Sequence, residues 1–145
     1  MKILVFLPFL SIFLVQVVLA QRSPLETAAI NLQTNFTSLY RGKFNEAKAR
    51  QILSPSVRFT NCATTMDIEE LIVYIKEERS SGFFVDIIKD SASSPAKGKL
   101  AYTVKQWLYF GVLCIYKEID VTASEKNGRY VIDTMKELKC QSFKI

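Results

Sequence analysis

The chain has 145 residues, with 19 Lys and Arg against 14 Asp and Glu, a net charge of +5, three cysteines and no histidine. Without histidine there is no Ser-His-Asp or Cys-His nucleophile pair, no His-Asp base and no histidine-ligated zinc site, and three thiols are too few for a four-thiolate one. The basic residues are scattered rather than interleaved with aromatics, so the mild charge reads as solvated surface and argues against nucleic acid as a partner.

In chain order the first element is a leader. Lys2 precedes an apolar run over 3–20 that exits through Val18-Leu19-Ala20 into Gln21-Arg22-Ser23-Pro24. A charged start, an apolar middle and a small-residue exit make up a secretory signal peptide, so 1–20 is assigned to one. Cleavage after Ala20 leaves 125 residues with a net charge of +4, a length suited to one domain at 21–145. No second run approaches membrane-span length, so the expected product is secreted and free of the membrane.

Ser23-Pro24-Leu25-Glu26 starts a helix: Ser23 can cap, Pro24 fits the first helical position and Glu26 completes a capping box. Leu25, Ala29, Leu32, Phe36, Leu39 and Tyr40 then recur at helical spacing, and Arg41-Gly42 ends the helix. A shorter helix is expected over 45–53, stopped by Ser54-Pro55. The alternation in Val57 to Cys62 predicts a strand. Asp67 opens a third helix with Glu70 as its capping-box partner and Ile68, Leu71, Ile72 and Ile75 as its buried stripe. Strands are expected over 83–90, 100–110, 112–123 and 130–140. Helices come early and strands run together late, which predicts an α+β fold with three helices of the N-terminal half packed on one face of a curved antiparallel sheet.

This succession of elements resembles the nuclear transport factor 2-like superfamily over residues 24–142. Three local features agree: the first helix running into Leu39-Tyr40-Arg41-Gly42-Lys43, the second into Leu53-Ser54-Pro55-Ser56-Val57-Arg58-Phe59, and a third from Asp67-Ile68-Glu69-Glu70. The resemblance implies a cone-like curved sheet around a pocket that different members use as isomerases, dehydratases, hydrolases or adaptors. It also allows a homodimer through the sheet face. Several of its enzymes use a histidine–carboxylate pair, which this chain lacks. A steroid-isomerase style of chemistry would need a buried carboxylate and a tyrosine. Asp86, Asp120, Asp133, Tyr102, Tyr109 and Tyr116, all on expected strands, are the residues available for it.

An oxidising compartment favours one disulfide among three cysteines. Asn127-Gly128 allows a two-residue hairpin loop or a three-residue loop with Lys126. In the three-residue register Glu118 faces Lys136, Lys117 faces Glu137 and Cys114 faces Cys140, whereas the two-residue register sets Glu118 against Glu137. Charge pairing therefore favours Cys114–Cys140, with Cys62 as the alternative partner of either. Asn35-Phe36-Thr37 is a glycosylation sequon, which makes Asn35 the acceptor.

The apolar strand around Tyr102, Trp107 and Tyr109 is the candidate lining of a pocket for a small apolar ligand. The leading expectation is thus a secreted, non-enzymatic binding domain for a small apolar ligand or a protein, with no cofactor and no metal. The alternatives are a carboxylate/tyrosine isomerase or lyase and a cystatin-like inhibitor. The last lacks the Gln-x-Val-x-Gly loop that such inhibitors insert.

Overall fold

The computed structural model describes residues 22–78, 82–88, 91–110 and 113–139. The leader at 1–20 and Cys140 lie outside the described residues, as do the side chains of Asp86, Tyr109 and Cys114.

Helix α1 (Pro24–Thr37) begins as its sequence dictates: Ser23 Oγ accepts the Glu26 N–H at 3.0 Å, with Pro24 at the first helical position. A 3-10 turn over Ser38–Tyr40 extends it, and Gly42 at φ 66 turns the chain away. Helix α2 (Glu46–Ile52) is capped by Asn45, whose Oδ1 accepts the Lys48 N–H at 3.0 Å. Helix α3 (Ile68–Glu78) carries a complete capping box: Asp67 Oδ1 accepts from Glu69 and Glu70 N–H, and Glu70 Oε2 accepts from Asp67 N–H at 3.0 Å.

The strands are β1 (Leu53–Thr60), β2 (Thr65–Met66), β3 (Gly82–Ile87), β4 (Lys99–Phe110), β5 (Leu113–Lys126) and β6 (Arg129–Glu137). They form one open sheet in the order β2-β1-β6-β5-β4-β3. The late strands β3 to β6 pair antiparallel as expected, and one pairing adds to that pattern. β1 pairs with β6 in parallel, through Arg58↔Thr134 and Thr60↔Lys136, so the sheet is mixed. A parallel neighbour must come from far along the chain, and no local pattern announces it. β1 also starts earlier than expected, at Leu53, and takes in Pro55. Below Arg58 its register with β6 is irregular, and β2 reaches only Phe59 and Thr60, so the missing proline N–H breaks no regular ladder.

The hairpin register also differs from the one that charge pairing favoured. Lys126 pairs with Arg129 across a two-residue turn in which Asn127 (φ 52) and Gly128 (φ 74) both take positive φ, the type I′ pattern. A bulge then inserts Asp133 between the pairs Ala123↔Ile132 and Thr122↔Thr134. Its effect is to keep Ile132 and Met135, three residues apart, both on the buried face. The shifted register sets Ile119 opposite Glu137 and Leu138 N–H on Glu118 O at 2.8 Å. It is two residues away from the register that would set Cys114 opposite Cys140. Lys117 and Glu137 nevertheless meet, diagonally, with Nζ to Oε2 at 3.2 Å.

The core lies between the helices and one sheet face. Ala29, Leu32 and Phe36 of α1, Leu71, Ile72 and Ile75 of α3, and Leu100, Tyr102, Val104, Ile119, Val121 and Met135 of the sheet are all buried. Each such aliphatic or aromatic side chain contributes about 1.5–3 kcal/mol relative to exposure. α1 and α3 therefore owe their position to the stripes read in the sequence.

Candidate functional site

Three cavities lined by described residues divide the possibilities. The first is inside the curve of the sheet, where a pocket was expected. Phe36 and Tyr40 come from α1 and its 3-10 turn, Phe59 from β1, and Leu71 and Tyr74 from α3. They close on Gln106, Lys117, Ile119 and Met135, leaving about 20 Å³. That holds about one water molecule. The rings do much of the filling: Phe36 and Tyr40 meet edge-on at 5.8 Å, and Phe59 and Tyr74 are tilted at 5.9 Å. At this end of the interior Glu137, its side chain only 6% exposed, is paired with Lys117. That neutralises the two charges where the sheet leaves the core.

The residues expected to line a pocket do not converge on this space. Tyr102 is core, 2% exposed, and its hydroxyl donates to Gln33 Oε1 at 3.3 Å. Burial pushes its pKa well above the usual tyrosine value of 10. Trp107 is five residues along the same unbroken ladder, so it takes the opposite face, where it stacks at 5.6 Å against its cross-strand partner Tyr116. Tyr102 and Trp107 therefore do not face one common space. Tyr109 pairs by backbone with Cys114, and its side chain lies outside the described residues.

Of the other acid and tyrosine candidates with described side chains, Asp120, Asp133 and Tyr116 are spread over the outer face. Asp120 accepts from Thr103 Oγ1 at 2.6 Å. Asp133 accepts from Ser124 Oγ and, at 3.3 Å, from Lys99 Nζ. The Tyr116 hydroxyl donates to Glu118 at 2.5 Å, which raises the tyrosine pKa to about 12. The same bond, with the Lys139 ammonium at 2.9 Å, lowers that of Glu118. These contacts stitch β4, β5 and β6 together. Tyr102 itself faces an amide, which neither gives nor takes a proton near neutrality.

The second cavity is a polar cleft of about 490 Å³ between α1, α2 and the β5–β6 turn. Asn31, Asn35, Lys48, Gln51, Arg129 and Tyr130 line it over a floor of Leu32 and Ile52. The sequon residue Asn35 is exposed there, while Phe36 and Thr37 beside it are buried.

The third is a groove of about 650 Å³ on the outer side of α3. Phe44, Met66, Ile72, Val73 and Tyr74 form its apolar floor, and Glu46, Glu69, Glu70, Glu77 and Lys76 its rim. Sequence reasoning passed over this site because its residues come from three elements. The available signal was Val73, an apolar residue off the α3 stripe, now 53% exposed. Arg50 fastens one end. Its guanidinium contacts both Glu69 carboxylate oxygens at 2.8 Å and Glu46 Oε1 at 2.7 Å, which holds the Glu69 pKa below its ordinary value. Among the described residues no cluster of acids and cysteines has the arrangement of a metal site.

No known sequence family matches the chain, and no curated protein does. Solved structures do. A designed nuclear transport factor 2-type protein with a long sheet aligns at a TM-score of 0.64 and 15% identity, covering 76% of this chain and 99% of the other. A ketosteroid isomerase-like protein of Shewanella frigidimarina gives 0.64 and 15%, covering 79% and 98%. A nuclear transport factor 2-like protein of unknown function from Silicibacter pomeroyi gives 0.58 and 12%, covering 77% and 92%. The chain has the nuclear transport factor 2-like fold. At these identities the likeness concerns the fold, and function must be argued from the sites.

Proposed function

We propose that the chain is the precursor of a secreted, non-enzymatic binding domain that meets a protein partner through its surface. One contrast carries this reading: the cavity that described residues line inside the sheet measures about 20 Å³, whereas the outer groove offers about 650 Å³. Sites that enclose a small apolar molecule have volumes of roughly 300–1,000 Å³. Among the described residues Phe36, Tyr40, Phe59 and Tyr74 occupy that space instead, so of the two occupants expected, the protein is favoured over the small apolar ligand.

Secretion rests on Lys2, the apolar run and the small-residue exit before Gln21. Cys62 is proposed as one half of the single disulfide. Its support is the parallel pairing of Thr60 with Lys136, which sends the β1–β2 connection along the end of β6. The isomerase alternative draws support from the ketosteroid isomerase-like neighbour. It is disfavoured because Tyr102 bonds to Gln33, Asp120 and Asp133 sit on the other face, and Glu137 on the inner face is held by Lys117.

The test is to express the full chain in a secreting eukaryotic host, extract the purified product with organic solvent and analyse the extract by mass spectrometry. The expected result is no apolar compound at a stoichiometric level. A lipid-like molecule present at one per chain would overturn the surface reading and restore the interior pocket.

A further inference from the structure

We propose that the groove beside α3 docks a basic segment of a protein partner, one apolar side chain of which packs over Val73 while its lysines or arginines face the glutamate rim. This rests on the surface-binding reading above and gives it an address and a partner chemistry. The first observation is the floor. Phe44 precedes α2, Met66 is on β2, and Ile72, Val73 and Tyr74 are on α3, so three separate stretches of the chain supply the apolar lining. Val73 is half exposed there, which leaves apolar surface that a partner would remove from water.

The second observation is the sign of the rim. The whole chain is basic, at +5, yet four glutamates border this groove. Lys76 and the Arg50 guanidinium offset two of them and leave the rim two charges negative. The Arg50 bridge and the Asp67–Glu70 capping box also fix where Glu46, Glu69 and Glu70 sit, so those carboxylates are ordered before a partner arrives. An acidic border on a basic molecule selects a cationic partner by attraction and rejects an anionic surface by repulsion.

The third observation is shape. The groove is open along its length rather than enclosed. A small molecule would stay largely in solvent there, whereas an extended or helical segment would cover the apolar lining. Exposed charge pairs are individually weak, so the rim supplies selectivity and salt dependence while the apolar anchor supplies most of the affinity.

A library of random 12-residue peptides displayed on phage, panned against the mature chain, tests this directly. The enriched sequences should combine Lys or Arg with a large apolar residue. The synthetic consensus peptide should shift amide resonances of Met66, Val73 and Glu77, and should weaken severalfold between 0.05 and 0.3 M salt. Val73→Asp and Glu77→Lys alter exposed positions, so both should fold as the parent does; the first should weaken the peptide at least tenfold and the second about threefold. Acidic consensus sequences, shifts centred on the outer sheet face or the Asn35 cleft, or affinity unchanged in both variants would overturn the groove assignment. A peptide that binds elsewhere would leave the surface reading intact. No enrichment at all would overturn the groove, and only with a stoichiometric apolar extract would it also remove the reading on which the groove rests.

Discussion

Tyr102→Phe separates a packing role from a chemical one, and its magnitude can be worked from two contacts. The hydroxyl donates to Gln33 Oε1 at 3.3 Å, and Gln33 Nε2 in turn donates to Thr37 Oγ1 at 3.5 Å, all within buried surroundings. A net neutral hydrogen bond contributes about 0.5–1.5 kcal/mol, and a buried acceptor left without its donor costs roughly 1–3 kcal/mol. The bond is long, so the low end applies: about 1–1.5 kcal/mol at pH 7, or roughly 3–6 °C in Tm for a domain of this size. Alkaline pH changes the comparison. Folding raises the Tyr102 pKa, so the folded state keeps a proton that the unfolded state loses above pH 10. That contribution is fully present below pH 10 and falls as pH rises, by about 0.4 kcal/mol at pH 10 and about 1.4 kcal/mol at pH 11. The phenylalanine variant lacks it. The stability gap should therefore be about 1 kcal/mol at pH 7 and close near pH 11, measured by urea unfolding followed by far-UV circular dichroism. Tyr116 also weakens the fold in alkali, but equally in both proteins, so it cancels. Parallel curves from pH 7 to 11 would refute the argument, because they would mean that the tyrosine ionises as freely in the folded state as in the unfolded one.

Three further outcomes are expected. Lys117→Met should lower stability by about 2 kcal/mol in urea unfolding, short of the ~3–5 kcal/mol of a fully buried pair because the lysine side chain keeps 21% exposure. Adding Glu137→Leu should recover most of the loss. Gly128→Ala should cost about 1–2 kcal/mol by thermal melt, since the added Cβ meets nothing within 4 Å and only the positive φ of 74° opposes it. Material from a secreting host should begin at Gln21 by intact mass, and glycosidase treatment should shift its mobility only while Asn35 is present, with Asn35→Gln as the control.

What could be read in advance follows the range of the physics. Helix starts are local, so Ser23 and Asp67 were legible as caps, and Asp67 with Glu70 closes both bonds of its box. Buried stripes are local too, and Ala29, Leu32, Phe36, Leu71, Ile72 and Ile75 are where periodicity put them. The hairpin shows the limit. Cross-strand charge pairs weigh a few tenths of a kcal/mol. The type I′ turn and the burial of both Ile132 and Met135 weigh more, and together they require the bulge at Asp133. Trp107 takes a face that was legible from spacing alone. Five residues from Tyr102 in an unbroken strand, it cannot share a face with it. The α3 groove was not legible, because Phe44, Met66 and Val73 become neighbours only after β2 and α3 have packed on β1.

The narrow cavity among the described residues and the open groove have a common origin in the third helix. Leu71 and Tyr74 reach into the space under the sheet and leave room for about one water. The same helix turns Val73 and Glu77 outward, into the groove. A helix that packs this closely cannot swing away to admit an internal ligand without uncovering Leu71, Ile72 and Ile75, at about 1.5–3 kcal/mol each. Its outer face needs no such movement. Rigid packing on one side thus gives a fixed platform on the other, held at its edge by Arg50, and that rigidity is what a preformed docking surface requires.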